Sequence, residues 1–511
     1  MDNPPLLTGS KLVLLTFALS LGIFMNVLDV SIANVAIPTL AGNLAVSADD
    51  GTWVITSFAV SQAIMLPITG WLARRFGEVR LFVFSTVLFT IASVFCGLSV
   101  NLPMLIFFRV VQGAVSGPMI PLSQSILLAN YPAHRKGFAT SIWAMTAVVA
   151  PIAGPILGGW ITDQYSWPWI FYINVPVGIL SAGLTAYLLA GRDSAIKKIP
   201  IDKVGLALLI IGIGCLQVLL DKGNDLDWFH SNFIMSLAII STIALSFLIV
   251  WEWTERYPII DLRLFTERNF LIGTIGLTFG YMVYFSNVVI FPLWLQTQMD
   301  YTPTWAGLAA APVGILPFLL SPIVGSYMHK IDLRVITSFG FIIFVITSFW
   351  QANFYTDVGF FQLITPRFVQ GLGITFFFIP LSTIVISKLS PEQVASGLGV
   401  ANFCRILGGS FGTSISITLW NRREAFHQSR LVEHINNYNP VSHDMLNQLH
   451  ILGLNHLASI AALTKIIINQ AYMLSTDDIF WLSGCVFMTL IVIVWFAKPP
   501  FIVKKGIITA E

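Results

Sequence analysis

An acid and a base that could handle protons lie within apolar stretches of this chain. Asp29 lies in the run 12–40, and Arg109 lies in the run 102–128. An ionised carboxylate inside a bilayer costs at least ~2.5 kcal/mol on insertion scales. Desolvation favours the neutral carboxyl group, whereas a nearby cation favours the charged form. A side chain exposed to both effects in turn can take up and release a proton, so Asp29 is predicted to couple proton movement to a second event.

Arg109 is the natural partner of this carboxylate. Arginine keeps its proton at physiological pH, so Arg109 cannot carry the proton and would instead tune Asp29 or hold an anionic substrate. Gln112 and Ser116 follow Arg109 at i+3 and i+7 and form one polar stripe with it. Two structural alternatives stay open: a permanently paired carboxylate, and an arginine that braces backbone carbonyl groups.

Further polar and aromatic residues in the apolar runs are candidate substrate contacts. Arg367 and Arg405 have no balancing acid in the spans of their own half, where the position equivalent to Asp29 is apolar (Met282 or Val283). An unpaired buried cation is expensive, so a bound anion or polar substrate is an attractive partner. The alternative is that either arginine lies near a span end and extends to the membrane surface. The predicted substrate-binding residues are Asn26, Asn34, Gln62, Gln112, Trp143, Tyr281, Tyr284, Asn287, Arg367, Asn402 and Arg405.

Composition places these residues in lipid. Of the 511 residues, 56% are hydrophobic and only 10% are charged, against about 25% charged in soluble proteins. The mean hydropathy is +0.80. Because a span needs about 20 apolar residues, the sequence predicts an all-α integral membrane protein with fourteen transmembrane helices, near 12–40, 53–71, 80–100, 102–128, 137–161, 169–190, 204–220, 233–251, 270–295, 305–327, 335–352, 360–386, 394–420 and 479–497.

Charge placement predicts the orientation of these spans. With the N-terminus in the cytoplasm, 19 of the 27 Lys and Arg residues fall on the inner side and five on the outer side, with three inside spans. The positive-inside rule therefore favours fourteen spans with both termini cytoplasmic. The first run continues into a bundle and has no small-residue cleavage site, so it is not expected to be a signal peptide. The net charge of +2 gives no sign of nucleic-acid binding.

Three sequence patterns recur in the same order 250–260 residues apart. R-V-V-Q-G at 109–113 matches R-F-V-Q-G at 367–371, L-P-I-T-G at 66–70 matches S-P-I-V-G at 321–325, and P-I-L-G-G at 155–159 matches R-I-L-G-G at 405–409. Spans 1–6 thus align with spans 9–14 and leave two spans unmatched, predicted to be peripheral. The expected domains are an N-terminal half (1–192), two inserted helices (193–268) and a C-terminal half (269–511) with an outer loop at 421–478.

The sequence resembles the fourteen-span drug/proton antiporters of the major facilitator superfamily, and within them the EmrB-type multidrug exporters. The resemblance rests on L-D-V-S-I-A-N-V-A-I-P-T-L at 28–40, G-W-L-A-R-R-F-G-E-V-R-L-F at 70–82, R-V-V-Q-G at 109–113 and A-P-I-A-G-P-I-L-G-G at 150–159. It implies a gating role for Gly70, Arg74, Gly77, Arg80, Gly154, Pro155, Gly158 and Gly159. The broad family usually has Asp where this chain has Arg74, which puts the usual loop-to-helix ion pair in doubt.

The resemblance implies proton-coupled export of amphipathic drugs or other small toxic compounds through the bacterial inner membrane, as in antibiotic resistance. It also implies an EmrA-like periplasmic adaptor and a TolC-like outer-membrane channel as partners. The alternatives are an exporter of one metabolite or siderophore, and a proton-coupled importer on the same fold.

An enzyme is not expected, because no Ser-His or metal-ligand cluster occurs in the spans. No metal or other cofactor is predicted, because the five histidines of the outer loop lack ligand spacing and the four cysteines are scattered. No G-x-x-x-x-G-K-[ST] loop is present, so ATP is not the expected energy source.

Overall fold

The computed structural model describes residues 7–46, 48–132, 135–193, 196, 200–390, 393–433, 435 and 439–501. All regular secondary structure in these residues is helical. The first half of the chain forms α1 Gly9–Asn43, α2 Ala48–Gly51, α3 Trp53–Phe76, α4 Glu78–Gly97, α5 Leu102–Ser116, α6 Met119–Asn130, α7 Lys136–Gln164, α8 Trp169–Tyr172, α9 Asn174–Leu188, α10 Lys203–Lys222 and α11 Asn232–Thr254. The second half forms α12 Arg268–Gln298, α13 Pro303–Ala310, α14 Ile315–Tyr327, α15 Leu333–Gln351, α16 Phe360–Ile386, α17 Val394–Glu433, α18 Pro440–Ile451 and α19 His456–Val494.

Twelve helical stretches among the described residues are long and apolar enough to cross a membrane. The sequence predicts fourteen, and the two outside this set are α7 and α17. Both are long helices, of 29 and 40 residues. A shorter apolar stretch, Val149–Thr162, lies within α7. The chain is therefore a helical membrane protein with about twelve candidate spans.

Helix ends follow from local sequence. Asn101 precedes α5 and accepts a hydrogen bond from the Met104 amide at 2.9 Å, and Asp202 precedes α10 and accepts from the Val204 amide. The predicted span 102–128 is two α-helices, because the chain passes through Gly117 and Pro118, and proline lacks the amide hydrogen that would continue the helical hydrogen bonds.

The segment 421–478, predicted as an outer loop, is mostly helical. α17 continues to Glu433, α18 occupies Pro440–Ile451, and α19 begins at His456 instead of 479. Hydropathy alone misses these extensions because polar residues, such as Lys465, Asn469 and Gln470 in α19, lower the average without breaking the helix. Four of the five loop histidines lie on α17, α18 or α19, and His434 lies outside the described residues.

The repeat in the sequence reappears in the packing. α1 packs most extensively on α7, and α12 packs most extensively on α17. The pairs α3–α5 and α4–α9 likewise have counterparts in α14–α16 and α15–α19. We call α1–α9 the N-terminal bundle and α12–α19 the C-terminal bundle.

The two bundles meet closely at one end, which we call the basic end because it carries Arg74, Lys136, Lys203, Arg268, Lys330, Arg334 and Lys388. A Cβ at Gly70 of α3 would lie 2.7 Å from the Cα of Ser396 on α17. A Cβ at Gly325 of α14 would lie 2.4 Å from the carbonyl oxygen of Gly137 on α7. Both crossings need glycine, because the backbones of the two helices are in contact and leave no room for a side chain.

The two helices between the bundles differ in position. α11 exposes most of its surface, since only 22% of the residues in its apolar stretch are buried, as expected for a peripheral helix. α10 instead contacts both bundles. Gln217 donates to the Ser410 hydroxyl of α17 at 3.0 Å, and the Lys222 ammonium donates to the Thr52 hydroxyl before α3. The prediction of a peripheral pair therefore describes α11 better than α10.

Candidate functional site

Asp29 of α1 and Arg109 of α5 form an ion pair in the middle of the N-terminal bundle. The Arg109 Nη1 donates to Asp29 Oδ2 at 2.5 Å. Both side chains have zero solvent exposure. The Arg109 Nε donates to the Val54 carbonyl oxygen of α3 at 2.9 Å, and Nη1 also reaches Gln112 Oε1 at 2.8 Å. Three helices thus fix one guanidinium group.

Asn174 and Ser93, two residues that the sequence analysis missed, complete the surroundings of Asp29. Asn174 at the start of α9 donates to Asp29 Oδ1 at 2.7 Å. Gln112 donates to the same oxygen at 3.1 Å and to the Ser93 hydroxyl at 2.8 Å. Three side chains thus donate hydrogen bonds to one buried carboxyl group. Asn174 and Ser93 are polar residues within apolar runs, the same signal that identified Asp29.

The Arg109 guanidinium group does not use all of its hydrogen-bond donors. Within the described residues, Arg109 Nη2 is buried and makes no hydrogen bond. The Phe58 ring centroid lies 4.3 Å from the guanidinium carbon, which supplies a cation–π contact. The pair is therefore held by strong directional bonds but keeps one free donor.

Other predicted substrate residues of the N-terminal bundle form a separate polar group. Gln62 donates to Asn26 Oδ1 at 3.1 Å, and Asn26 donates to the Ser116 carbonyl oxygen at 3.1 Å. Both side chains are buried. Asn34 lies on α1, but its side chain lies outside the described residues. Gln112 belongs to the ion pair. These residues join α1, α3 and α5 in this conformation.

Trp143 marks the seam between the bundles. Its Nε1 donates to the Ser123 hydroxyl at 3.0 Å. Its ring stacks on Phe378 of α16, with centroids 5.9 Å apart and planes 10° apart. The contact joins α7 of one bundle to α16 of the other.

Arg367 lies on α16 in the motif that matches that of Arg109. Its Nη1 donates to Gln370 Oε1 at 3.1 Å and its Nη2 donates to the Asn287 carbonyl oxygen at 3.0 Å. The Phe291 ring centroid lies 3.9 Å from the guanidinium carbon. Asn287 also accepts from the Ser483 hydroxyl of α19, so both side chains join helices within the C-terminal bundle. Arg367 is 2% exposed, so its side chain does not extend to the protein surface.

Arg405 of α17 faces the seam. It borders a small cavity of about 20 Å³ together with Tyr281, Tyr284, Pro151, Ile374, Phe377 and Phe378. Its guanidinium carbon lies 4.6 Å from the Tyr281 ring centroid. Its Nε is buried and makes no hydrogen bond within the described residues. The Asn402 side-chain nitrogen donates to the Leu398 carbonyl oxygen one turn earlier in the same helix, so this hydrogen bond does not join two helices.

The loop motif between α3 and α4 is held by an acid from another helix end. Gly77 has φ +90°, a conformation that favours glycine, and a Cβ there would overlap the Asp193 carboxylate. Asp193 accepts from the Val79 amide at 3.1 Å and pairs with the exposed Arg80 at 3.4 Å. Arg74 lies elsewhere, beside Arg256 in a separate cavity.

The corresponding turn of the C-terminal bundle, before α15, is stabilised by two of its own residues. Asp332 accepts hydrogen bonds from the backbone amide, Nε and Nη2 of Arg334, with an Nη2–Oδ2 distance of 2.6 Å. The hydrogen-bonded Arg334 side chain holds the pKa of the Asp332 carboxyl below its ordinary value. The equivalent role in the N-terminal bundle belongs to the distant Asp193.

The predicted antiporter motif lies where α7 crosses α1. A Cβ at Gly154 would lie 2.3 Å from the Ser31 hydroxyl, and one at Gly158 would lie 3.0 Å from the Ile32 side chain. Gly159 has open space around it. The Pro155 side chain lies outside the described residues. Gly154 and Gly158 therefore permit the close crossing, and Gly159 is not needed for it.

Among the described residues, no group of three or more His, Cys, Asp or Glu side chains is arranged to hold a metal ion. What the site does offer is a buried acid–base pair in one bundle and a buried cation at the seam with the other. Fold and site together define a multi-pass membrane transporter, not an enzyme.

Comparisons with known proteins identify the family. Residues 19–413 match the Major Facilitator Superfamily profile, and the chain belongs to that family. It is 51% identical over 502 residues, 98% of both chains, to the multidrug export protein EmrB of Escherichia coli (strain K12). It is 47% identical over 501 residues to the fatty acid resistance protein FarB of Neisseria gonorrhoeae, covering 98% of this chain and 99% of that one.

Solved structures agree on the fold. The proton:xylose symporter XylE superposes with a TM-score of 0.59 at 15% identity, covering 95% of both chains. The human organic anion transporter MFSD10 gives a TM-score of 0.56 at 10% identity, covering 95% of this chain and all of that chain. At these identities the likeness concerns the fold alone.

Proposed function

We propose that the protein is a proton-coupled antiporter that exports amphipathic drugs or other small toxic organic compounds from the cytoplasm. The observation that carries the proposal is the contact between Asp29 and Arg109, both without solvent exposure. A buried ionisable pair inside a membrane bundle is energetically expensive, so its presence marks a functional site by default. Relatives named for multidrug export and fatty acid resistance, at 51% and 47% identity, supply the direction and the kind of cargo.

The proton step follows from the hydrogen bonds around Asp29. In this conformation the Asp29 carboxyl group accepts hydrogen bonds from Arg109, Gln112 and Asn174. Protonation of Asp29 removes its attraction to Arg109 and frees the guanidinium group. Water reaching the pair from the outer side would deliver that proton, and closure of the outer side would restore the dry pair after the proton leaves inward.

Cargo binding is proposed at the seam that Arg405 faces. Tyr281, Tyr284 and Phe378 offer aromatic surface, and the unsatisfied Arg405 Nε offers a charged donor. Such a mixture suits amphipathic molecules. The cavity of about 20 Å³ holds little more than one water. Cargo therefore has to enter a different conformation, in which the bundles separate along this seam.

Exchange would then proceed by rocking of the bundles. The close crossings at Gly70–Ser396 and Gly137–Gly325 shut the basic end. Opening of the basic end admits cargo from the cytoplasm, and its closure moves the opening to the other side. Residues of the loop motif, including Gly77 and Arg80, would stabilise the closed basic end.

We further propose fourteen spans arranged as 6 + 2 + 6, with domains 1–192, 193–268 and 269–511. α7 and α17 would be the two spans beyond the twelve apolar stretches, since their packing on α1 and α12 matches. Both termini would be cytoplasmic and the membrane the bacterial inner membrane. The ends of α17 and α19 that lie outside the membrane, together with α18, would form the surface for an EmrA-like adaptor, leading to a TolC-like channel.

Accumulation in everted vesicles tests this function. Vesicles with an acid interior should accumulate a fluorescent amphipathic drug, and nigericin, which collapses the proton gradient, should abolish the accumulation. A proton-coupled importer would instead expel the drug under the same gradient. An exporter of one metabolite would show no accumulation of any drug in a chemically varied panel. Either result would contradict multidrug export.

A further inference from the structure

A basic cavity of about 140 Å³ opens at the basic end, away from the ion pair and the seam. It lies where α3 ends and where the connection between α11 and α12 begins, and its walls are Arg74, Arg256, Tyr257, Pro258, Asp261 and Arg263. One water needs about 10–15 Å³ of such space, so the cavity has room for a larger polar group. Three arginines face one carboxylate there, which leaves a net positive charge.

The three guanidinium groups have no acidic partner within the part of the chain that the structure describes. Asp261 is occupied as a cap, because its carboxylate accepts from the Arg263 amide at 3.2 Å. The Arg74 side chain is half-buried, and its Nε is buried without a hydrogen bond. An unsatisfied buried donor is costly, so an oxygen ligand in this cavity would satisfy it.

The depth of the cavity points to a membrane lipid. Arg74 lies in the last turn of the apolar helix α3, and Arg256 follows the end of the apolar helix α11 by two residues. Trp253 and Tyr257 are 52% and 43% exposed beside it. Exposed aromatic side chains at span ends mark the headgroup level of the bilayer. The arginines therefore lie at the level of lipid phosphates.

We propose that this cavity binds the phosphate group of an anionic phospholipid. Arg74, Arg256 and Arg263 donate to the phosphate oxygens, and the acyl chains follow the exposed face of α11. The Arg256 guanidinium carbon lies 5.5 Å from the Tyr257 ring centroid, which holds that side chain near the cavity. Basic pockets between transmembrane helices are suited to such headgroups.

The bound lipid would act as a tether between distant parts of the chain. α3 carries Gly70, which packs on α17 at the basic end, whereas Arg256 and Arg263 belong to the connection that leads into α12. A phosphate held by both sides stabilises the conformation in which the basic end is closed. This inference does not depend on what the protein exports.

Native mass spectrometry of the purified protein tests the site. Wild type, Arg74→Gln, Arg263→Gln and the control Arg75→Gln are each titrated with phosphatidylglycerol or phosphatidylcholine. Arg75 is the matched control because it is adjacent, loses the same charge and is not part of the cavity wall. Wild type should retain phosphatidylglycerol over phosphatidylcholine, and each cavity variant should retain about fivefold less, whereas Arg75→Gln should change retention less than twofold.

A competition experiment distinguishes binding of a lipid from binding of free phosphate. Inorganic phosphate, matched to chloride for ionic strength, should leave the retained phosphatidylglycerol unchanged. Displacement by inorganic phosphate would show a free-anion site and overturn the lipid assignment. An equal loss in Arg75→Gln and the cavity variants would show general charge attraction and overturn the site. Arg263 is exposed, so Arg263→Gln keeps the test valid even if Arg74→Gln fails to fold.

Discussion

The two bundles hold an arginine in the same motif but surround it differently. Arg109 and Arg367 each donate through Nη1 to a glutamine three residues later, at 2.8 Å and 3.1 Å. Each also lies over a phenylalanine ring, at 4.3 Å and 3.9 Å. Of these two arginines, only Arg109 contacts a carboxylate of the described residues, that of Asp29. The scaffold is therefore shared, and the acid is what distinguishes the N-terminal bundle.

This difference separates two tasks. A cation bound to carbonyl oxygens and a ring has no group that exchanges a proton at physiological pH, so Arg367 joins helices in this conformation without offering a proton site. A cation paired with a carboxylate forms a unit whose charge changes when the acid is protonated. Under the proposed function, the N-terminal bundle handles the proton, and the C-terminal bundle contributes Arg405 and aromatic side chains to cargo binding.

The largest expected effect comes from removing each arginine in turn. Arg109→Gln leaves Asp29 as an uncompensated buried charge and should lower the free energy of unfolding by about 3–5 kcal/mol. Arg367→Gln breaks hydrogen bonds without stranding a charge and should cost roughly 1–3 kcal/mol. Reversible unfolding of the purified variants in mixed micelles measures both. Equal losses would mean that the Asp29 carboxylate does not depend on its cation.

Arg405→Gln should affect cargo more than stability. The Arg405 side chain is buried and its Nε has no partner among the described residues, so its loss removes an expensive charge. We expect binding of a carboxylate-bearing amphiphile to weaken about tenfold or more. Binding of its methyl ester should change little, as measured by ligand-induced fluorescence changes. The same loss for both ligands would show that Arg405 only shapes the cavity.

Crossings at the basic end should respond alike in the two bundles. Gly70→Val and Gly325→Val each place side-chain atoms against the backbone of the other bundle, at an overpacking cost of about 1–3 kcal/mol. Both should therefore open the basic end and speed labelling of Thr69→Cys in a cysteine-free background. Gly159→Val is the matched control, because open space surrounds that position. An effect in only one bundle would argue against symmetric closure.

The smallest effect is expected at the turn of the C-terminal bundle. Because the folded pKa of Asp332 is lowered, its contribution to stability is present above the unfolded pKa, about 3.9, and is lost as pH falls through the folded value. The pair is partly exposed, so Asp332→Asn should cost about 0.2–1 kcal/mol at neutral pH. The difference from wild type should shrink below pH ~4. Melting curves across this pH range would show whether it does.

Sequence alone goes far where a polar residue interrupts an apolar run. Asp29, Arg109 and Gln112 stand out in this way, and the repeated motifs predict the matching helix pairs. The same principle would have found Asn174, which lies among apolar residues at the start of α9. Such residues are visible because membrane helices contain few of them.

Other features depend on direction or distance, which sequence spacing leaves open. Asn287 lies in the same helix as Tyr281, yet it contacts Arg367 and Ser483 and not the seam cavity. The sequence could not predict this orientation, because α12 has no clearly apolar side. Asp193 and Arg80 are far apart in the chain, so their pairing depends on the packing of α4 against α9.

Proton release on addition of drug, measured in proteoliposomes with a pH-sensitive dye, tests the role of Asp29 most directly. Wild type and the control Asp332→Asn should release protons when drug is added, whereas Asp29→Asn should release none while still binding the drug. Normal proton release by Asp29→Asn would show that this carboxyl group only braces the bundle.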